Sequence, residues 1–237
     1  MTRGGRIVAL LILQFVVTSA FAMALYEGGN RLEPEADAYA FARNTFSDLG
    51  RVQGYQGDPK PLSRWLFTVS LTVGGAAVAA YHVALLLLFL RIRRAGTAEL
   101  AAGLHQRRRM AAVGLGGLGA VAGIAVGGGL VAIANLPADL YSNRHFVAVY
   151  VAFTAFLPGA LAVALAIVAS PDYPSRYALI YVVLGIALAA YLILIYFGPP
   201  VDSPEGTRVQ VVGQKLMVYL GTMCVAGQAL ATARVSR

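Results

Sequence analysis

This sequence has few of the charged and catalytic residues on which soluble enzymes rely. Among its 237 residues only 13% are charged, and it contains three histidines, one tryptophan and one cysteine. An average soluble domain carries about 25% charged residues, so this composition argues against a soluble globular protein. The hydrophobic content of 58% excludes a disordered chain. Cys224, the single cysteine, cannot form an intramolecular disulfide, and its apolar neighbours predict a buried thiol.

Long apolar runs occupy most of the chain. Six of them are long enough to cross a hydrocarbon core about 30 Å thick. They cover 6–26, 65–90, 110–136, 146–169, 175–197 and 211–233. Backbone polar groups in lipid must be satisfied within their own segment, and these runs lack the alternation of barrel strands. The sequence therefore predicts an all-α membrane protein, with six transmembrane helices in a single membrane domain over 1–237.

The distribution of Lys and Arg predicts the orientation of these helices. With the N-terminus inside, the inner side carries eleven basic residues against two acidic ones, and the outer side eight against nine. Cytoplasmic loops are enriched in Lys and Arg, so both termini are predicted to be cytoplasmic, with the long first loop outside the plasma membrane. The net charge of +8 is then a topology signal with a secondary attraction to anionic lipids, and we expect no nucleic-acid partner. The first run also resembles a signal peptide, with Ala20-Phe21-Ala22 as a cleavage site, and we expect it to be retained as a signal anchor.

The outer segment 27–64 differs from the rest of the chain. It holds six of the eleven acidic residues, and Trp65 follows it where an interfacial aromatic residue belongs. Loops longer than about 12–15 residues are usually functional or disordered. Helix formers and apolar spacing over Glu35–Leu49 predict a short helix on the membrane surface, which Gly50 ends.

Polar residues on this outer side are the candidates for chemistry. Ser47 and Asp48 lie near the end of the predicted surface helix, and His145 opens the fourth span. A histidine that reaches a carboxylate and a hydroxyl at a lipid–water boundary suits general-base catalysis, and Asp48 with His145 also suits a divalent metal. The alternative is a hydrogen-bonding cluster that ties the loop to the bundle. Further substrate-binding candidates on this side are Asn44, Asp139, Asn143, Arg144 and Lys215. Of these, Lys215 or Arg144 would hold a lipid phosphate, or Lys215 would pair with Asp48 or Asp139.

The third span carries glycines at four-residue spacing, Gly119, Gly123 and Gly127. Small residues on one face let another helix approach closely, either from the same chain or from a second copy or membrane partner. The run 114–119 formally matches G-x-G-x-x-G, but it lacks the preceding strand that a dinucleotide site requires, so no nucleotide is expected. His82, Gln14 and Gln228 are predicted to make hydrogen bonds within or between helices.

The sequence lacks the motifs of several cofactor-binding and enzyme classes. The sequence contains no H-E-x-x-H, no G-x-S-x-G, no paired cysteine ligands and no P-loop. Bis-histidine haem ligation is not expected, because His82 and His145 are predicted near opposite membrane faces. A divalent metal remains the one cofactor for which the sequence offers candidates.

A family resemblance rests on Asn44-Thr-Phe-Ser47-Asp48-Leu-Gly50 before a span, and on Pro137-Ala-Asp139 with His145 before a later one. These residues resemble a prokaryotic six-span membrane family of unknown function with an Asn-x-x-Ser-Asp-Leu-Gly signature. Its more distant relatives are the eukaryotic FRAG/DRAM/Sfk proteins, which are GPI-anchor lipid-remodelling factors, autophagy modulators and regulators of phospholipid asymmetry. The resemblance implies an outer-leaflet or lumen-facing site at Asn44, Ser47, Asp48 and His145 that works on lipids or lipid-linked substrates.

Three functions follow from these features. In the first, the protein is a lipid hydrolase or acyl transferase in which Asp48 and His145 activate water or Ser47. In the second, it binds or senses lipids without catalysis, and the same residues hold a headgroup. In the third, it is a small structural subunit of a membrane complex that docks through the third span.

Overall fold

The structure, a computed structural model, describes residues 3–95, 103–201 and 203–235. Its long helices are α1 (Arg3–Ala24), α2 (Pro61–Ala95), α3 (Leu104–Asn135), α4 (Ser142–Ala169), α5 (Ala178–Phe197) and α6 (Pro204–Val235). All six are long and apolar enough to cross a membrane, and the described residues form no strand. The prediction of an all-α, multi-pass membrane protein is confirmed.

The helix ends differ from the ends of the apolar runs. Helix α6 begins seven residues before the predicted span, at Pro204. Proline is favoured at the first position of a helix, and the Ser203 hydroxyl caps the same end by accepting a hydrogen bond from the Gly206 amide at 3.0 Å. Polar first turns therefore extend the helix beyond its apolar run.

Helices that follow each other in the chain are neighbours in the bundle. Helix α3 packs between α2 and α4, α5 packs against α4 and α6, and α6 returns to pack against α1. The described helices thus form a closed ring. A ring of this kind leaves room along its axis wherever the inward side chains do not meet.

The glycines of α3 face helices of the same chain. A Cβ at Gly127 would overlap the backbone oxygen of Gly75 in α2, one at Gly123 would overlap the His82 ring, and one at Gly119 would overlap Val163 in α4. The small residues bring the helices close together, as predicted, and the partner is intramolecular.

The three polar residues within the spans make the predicted hydrogen bonds. Gln14 Nε2 donates to Ser70 O of α2 at 2.6 Å, and Gln228 Nε2 donates to the Tyr173 hydroxyl at 3.2 Å. His82 Nδ1 lies 2.8 Å from Val78 O in its own helix. These contacts hold the three side chains within the bundle, although the buried Gln228 Oε1 has no hydrogen-bond partner among the described residues.

Residues 25–60, which we call the cap segment, cover one end of the bundle. The helix predicted over Glu35–Leu49 is not formed; turns lead instead to a short 3₁₀ helix at Phe46–Gly50. The Asn44 carboxamide oxygen accepts the Ala40 amide at 2.9 Å, which replaces a helical hydrogen bond with a turn. Thr45 and Asp48 then form a capping box that starts the 3₁₀ helix. Phe46, Asp48 and Leu49 are buried, so this helix packs into the bundle instead of lying on its surface.

Candidate functional site

Asp48 is the buried centre of the cap segment. Its carboxylate accepts hydrogen bonds from the Thr45 amide at 2.8 Å, from Asn44 Nδ2 at 3.2 Å and from the Tyr55 hydroxyl at 3.0 Å. Burial raises the pKa of Asp48 above its ordinary value, although these hydrogen bonds and the Arg51 charge oppose the shift. The carboxylate is fully engaged in holding the cap segment together.

Asn44 joins the two halves of the cap segment. Its side chain is fully buried, and Nδ2 donates to Gly29 O at 2.6 Å as well as to Asp48. Gly29 has φ +66°, a conformation that favours glycine and turns its carbonyl toward Asn44. The amide therefore acts as a local cross-link.

Lys215 ties the cap segment to α6. Its fully buried ammonium donates to Asn44 O and lies 5.2, 5.0 and 5.6 Å from the ring centroids of Tyr39, Phe41 and Phe46. Within the described ranges no salt bridge joins it to Asp48 or to any other carboxylate. Cation–π attraction to three rings, together with a hydrogen bond to one carbonyl, takes the place of the predicted ion pair.

Phe46 anchors the same connection from the cap side. Its ring lies 5.4 Å from the Phe15 ring of α1 and 5.4 Å from the Tyr219 ring of α6. Its backbone amide donates to Gln214 Oε1 at 3.0 Å. The 3₁₀ helix is thus inserted between α1 and α6.

The remaining predicted ligands on this side are spread apart. Asp139 accepts hydrogen bonds from the Val52 and Gln53 amides at 3.1 Å and so fastens the α3–α4 connection to the cap segment. Asn143 and Arg144 are exposed on the first turn of α4, and neither side chain makes a hydrogen bond to the described part of the chain. The structure does not bring these three residues together with Lys215.

His145 and Ser47 face one cavity without bonding to each other. His145 is 2% exposed, and its Nδ1 lies 2.7 Å from Leu136 O, which leaves Nε2 as a hydrogen-bond acceptor. Ser47 Oγ lies 2.9 Å from Thr45 Oγ1. Both residues and Gln214 line a cavity of about 40 Å³ beneath the cap segment. A hydroxyl, an imidazole and an amide therefore form the polar end of an otherwise apolar space.

A second, mostly apolar cavity of about 70 Å³ lies next to the first, toward the middle of the bundle. Its lining includes Thr222, whose hydroxyl donates to Val218 O at 2.7 Å. The two share the lining residues Phe15, Leu71, Leu130, Phe153 and Val218. The wall of the deeper part comes from α1, α2, α3, α4 and α6, that is, from most of the ring. Sequence reasoning missed this lining, because apolar residues in a span carry no signal that distinguishes a cavity wall from a lipid-facing surface.

The predicted metal site is not assembled. The Asp48 oxygens already accept three hydrogen bonds, whereas His145 Nδ1 bonds to Leu136 O and not to Asp48. Across the residues that the structure describes, no three His, Cys, Asp or Glu side chains come close enough to hold a metal ion. Among the described residues, Asp48 and His145 therefore have no third such ligand, and a divalent cation at these residues stays a prediction.

Comparison of the sequence with protein-family models, with characterised proteins and with solved structures finds no significant match. The resemblance to the six-span family remains a prediction.

Proposed function

We propose that this membrane protein binds a lipid inside its helix bundle, with the polar end of the lipid against Ser47, His145 and Gln214. The observation that carries the proposal is the pair of neighbouring cavities, which share five lining residues. Ser47, His145 and Gln214 line the cavity beneath the cap segment, and the deeper cavity is apolar except for Thr222, whose hydroxyl is bonded to Val218 O. Ligand sites in proteins are typically concave and apolar with a few placed polar groups, which is the pattern here.

The lining of the two cavities extends over the depth of a lipid chain. Phe67 lines the cavity at the cap end and Val78 lines the one in the middle of the bundle, and eleven residues of α2 separate them, a rise of about 16 Å. Gln214 and Val225 give the same separation along α6. Together the two cavities thus extend over about half the thickness of a hydrocarbon core, which is the depth of one membrane leaflet. By the distribution of Lys and Arg, this leaflet is the outer one of the cytoplasmic membrane.

A glycine in the cavity wall supplies the test. A Cβ at Gly74 would meet nothing closer than 3.9 Å, so the larger side chain of Gly74→Leu enters the cavity without displacing backbone. Gly128→Leu is the matched control, because nothing lies within 4 Å of its Cβ and it lines neither cavity.

The measurement is mass spectrometry of the lipids that remain with the purified protein. We expect a selectively retained lipid in the wild type and in Gly128→Leu, and its loss from Gly74→Leu. Equal lipid content in all three proteins would refute binding in the bundle.

A second candidate function is hydrolysis or acyl transfer on the bound lipid. It is favoured by Ser47 and His145, which line the same cavity, and by the free Nε2 of a histidine oriented by Leu136 O. Asp48 is engaged elsewhere, so the carbonyl of Leu136 would replace the usual carboxylate that orients the base. Product formation from a bound acyl ester that is lost in Ser47→Ala, with lipid retention unchanged, would establish catalysis; retention without product would leave the protein a binder.

A further inference from the structure

The polar end of the cavity offers hydrogen bonds and no charge. Of the residues that line it within the described chain, none is Lys, Arg, Asp or Glu. Gln214 Oε1 accepts the Phe46 amide, so its Nε2 is left to donate. His145 Nδ1 is engaged with Leu136 O, so its Nε2 is left to accept. The ligand therefore meets one donor and one acceptor, together with the Ser47 hydroxyl.

Neither Lys215 nor Arg144, the two predicted phosphate ligands, serves a phosphate at this end. The Lys215 ammonium is enclosed by three rings, donates to Asn44 O and does not line the cavity. Arg144 is exposed and likewise does not line it. A phosphate carried into this apolar space would be desolvated without a counter-charge, which is strongly unfavourable.

We infer that the ligand is a single-chain lipid with a small uncharged head that contains an O–H group, a long-chain alcohol or a fatty acid in its acid form. The inference rests on the proposed function. The head O–H donates to His145 Nε2, and a head oxygen accepts from Gln214 Nε2. The cavities of about 40 and 70 Å³ are smaller than a whole lipid chain, so they favour one chain over two, and neighbouring side chains must move apart to admit it.

The test compares four radiolabelled probes of equal chain length on the full-length protein in detergent. They are a long-chain alcohol, its methyl ether, the fatty acid and the alkyl phosphate. Binding of the alcohol should exceed that of the methyl ether and the alkyl phosphate by about tenfold, because each of these leaves a buried group unpaired or a charge uncompensated. Binding of the fatty acid should weaken as the pH rises through the pKa of its own carboxyl group, whereas binding of the alcohol should not. This difference in pH dependence shows whether the O–H group of the ligand belongs to an alcohol or to a fatty acid.

A histidine pair provides the protein-side control. His145→Leu should weaken binding of the alcohol by about tenfold and bring it close to that of the methyl ether. His105→Leu makes the same change at an exposed residue that does not line the cavity, and should have no effect. If His145→Leu is unstable, the methyl ether tests the same hydrogen bond in the wild-type protein, because the ether lacks the O–H that would donate to His145 Nε2.

The outcomes separate the two proposals. If the alkyl phosphate binds as tightly as the alcohol and Gly74→Leu abolishes both, the inference about the head is overturned and lipid binding in the bundle stands. If Gly74→Leu changes the binding of none of the probes, the proposed function fails and the inference fails with it.

Discussion

Phe46→Ala should release the cap segment from the bundle while leaving the six helices packed. The Phe46 side chain is 4% exposed and lies between the rings of Phe15 and Tyr219. Truncating a buried Phe to Ala costs about 3–5 kcal/mol. We take about 3 kcal/mol, because the released ring can enter the membrane interface and recover part of the burial. Since 1.4 kcal/mol is a factor of ten, local opening of the 3₁₀ helix should become more frequent by about two powers of ten.

Amide hydrogen exchange at constant pH measures this opening. The amides of residues 45–51 should exchange about a hundred times faster in Phe46→Ala than in the wild type, with little change in the middle of α3. The control is Phe41→Ala in the same segment, where the ring is 50% exposed and a much smaller change is expected. Equal exchange at residues 45–51 in the wild type and Phe46→Ala would refute the role of this ring as an anchor.

Three further predictions concern single contacts. Burial raises the pKa of Asp48 above 3.8, so the folded protein binds that proton more tightly than the unfolded chain. The contribution of Asp48 to the free energy of unfolding is therefore fully present below pH 3.8 and should be lost as the pH rises through the raised pKa. The thermal midpoint of the wild type should fall accordingly, and that of Asp48→Asn should lack this pH dependence. Gly123→Leu would overlap the His82 ring and should lower the thermal midpoint by the equivalent of about 1–3 kcal/mol or more, whereas Gly117→Leu, with open space around its Cβ, should leave it unchanged. Asp139→Ala removes the acceptor of the Val52 and Gln53 amides and should speed their exchange by about tenfold; unchanged rates would mean that other groups hold this connection.

The glycines of α3 and the buried Lys215 show what residue spacing and charge can predict. The spacing of Gly119, Gly123 and Gly127 correctly indicated close helix packing, because a missing side chain acts wherever its face is covered. The same spacing left open whether the covering helix belongs to this chain. Lys215 illustrates the opposite case: its charge suggests a carboxylate or phosphate partner, but the fold surrounds it with aromatic rings from the cap segment, far away in the sequence.

The cap segment was the least predictable part of the chain. The predicted helix over 35–49 depends on helix propensity and apolar spacing, and propensity is a weak preference that local side-chain hydrogen bonds override. Asn44 and Thr45 supply such bonds, and the buried Asp48 and Phe46 give them tertiary support. Their shared side of the membrane predicts Ser47, Asp48 and His145 as one catalytic set, but in the structure Asp48 is hydrogen-bonded within the cap segment, whereas Ser47 and His145 line a cavity.

The sequence by itself determined the fold class and the number of spans, because satisfying the backbone in lipid requires helices and each apolar run is long enough for one. It also determined where the helices approach closely, through the glycines of α3. Only the tertiary structure decided which polar groups keep a free hydrogen-bonding atom, since this depends on the partner that each side chain finds across the bundle. The cavity lined by Ser47, His145 and Gln214 exists for the same reason: it is the space that five packed helices and the cap segment leave unfilled.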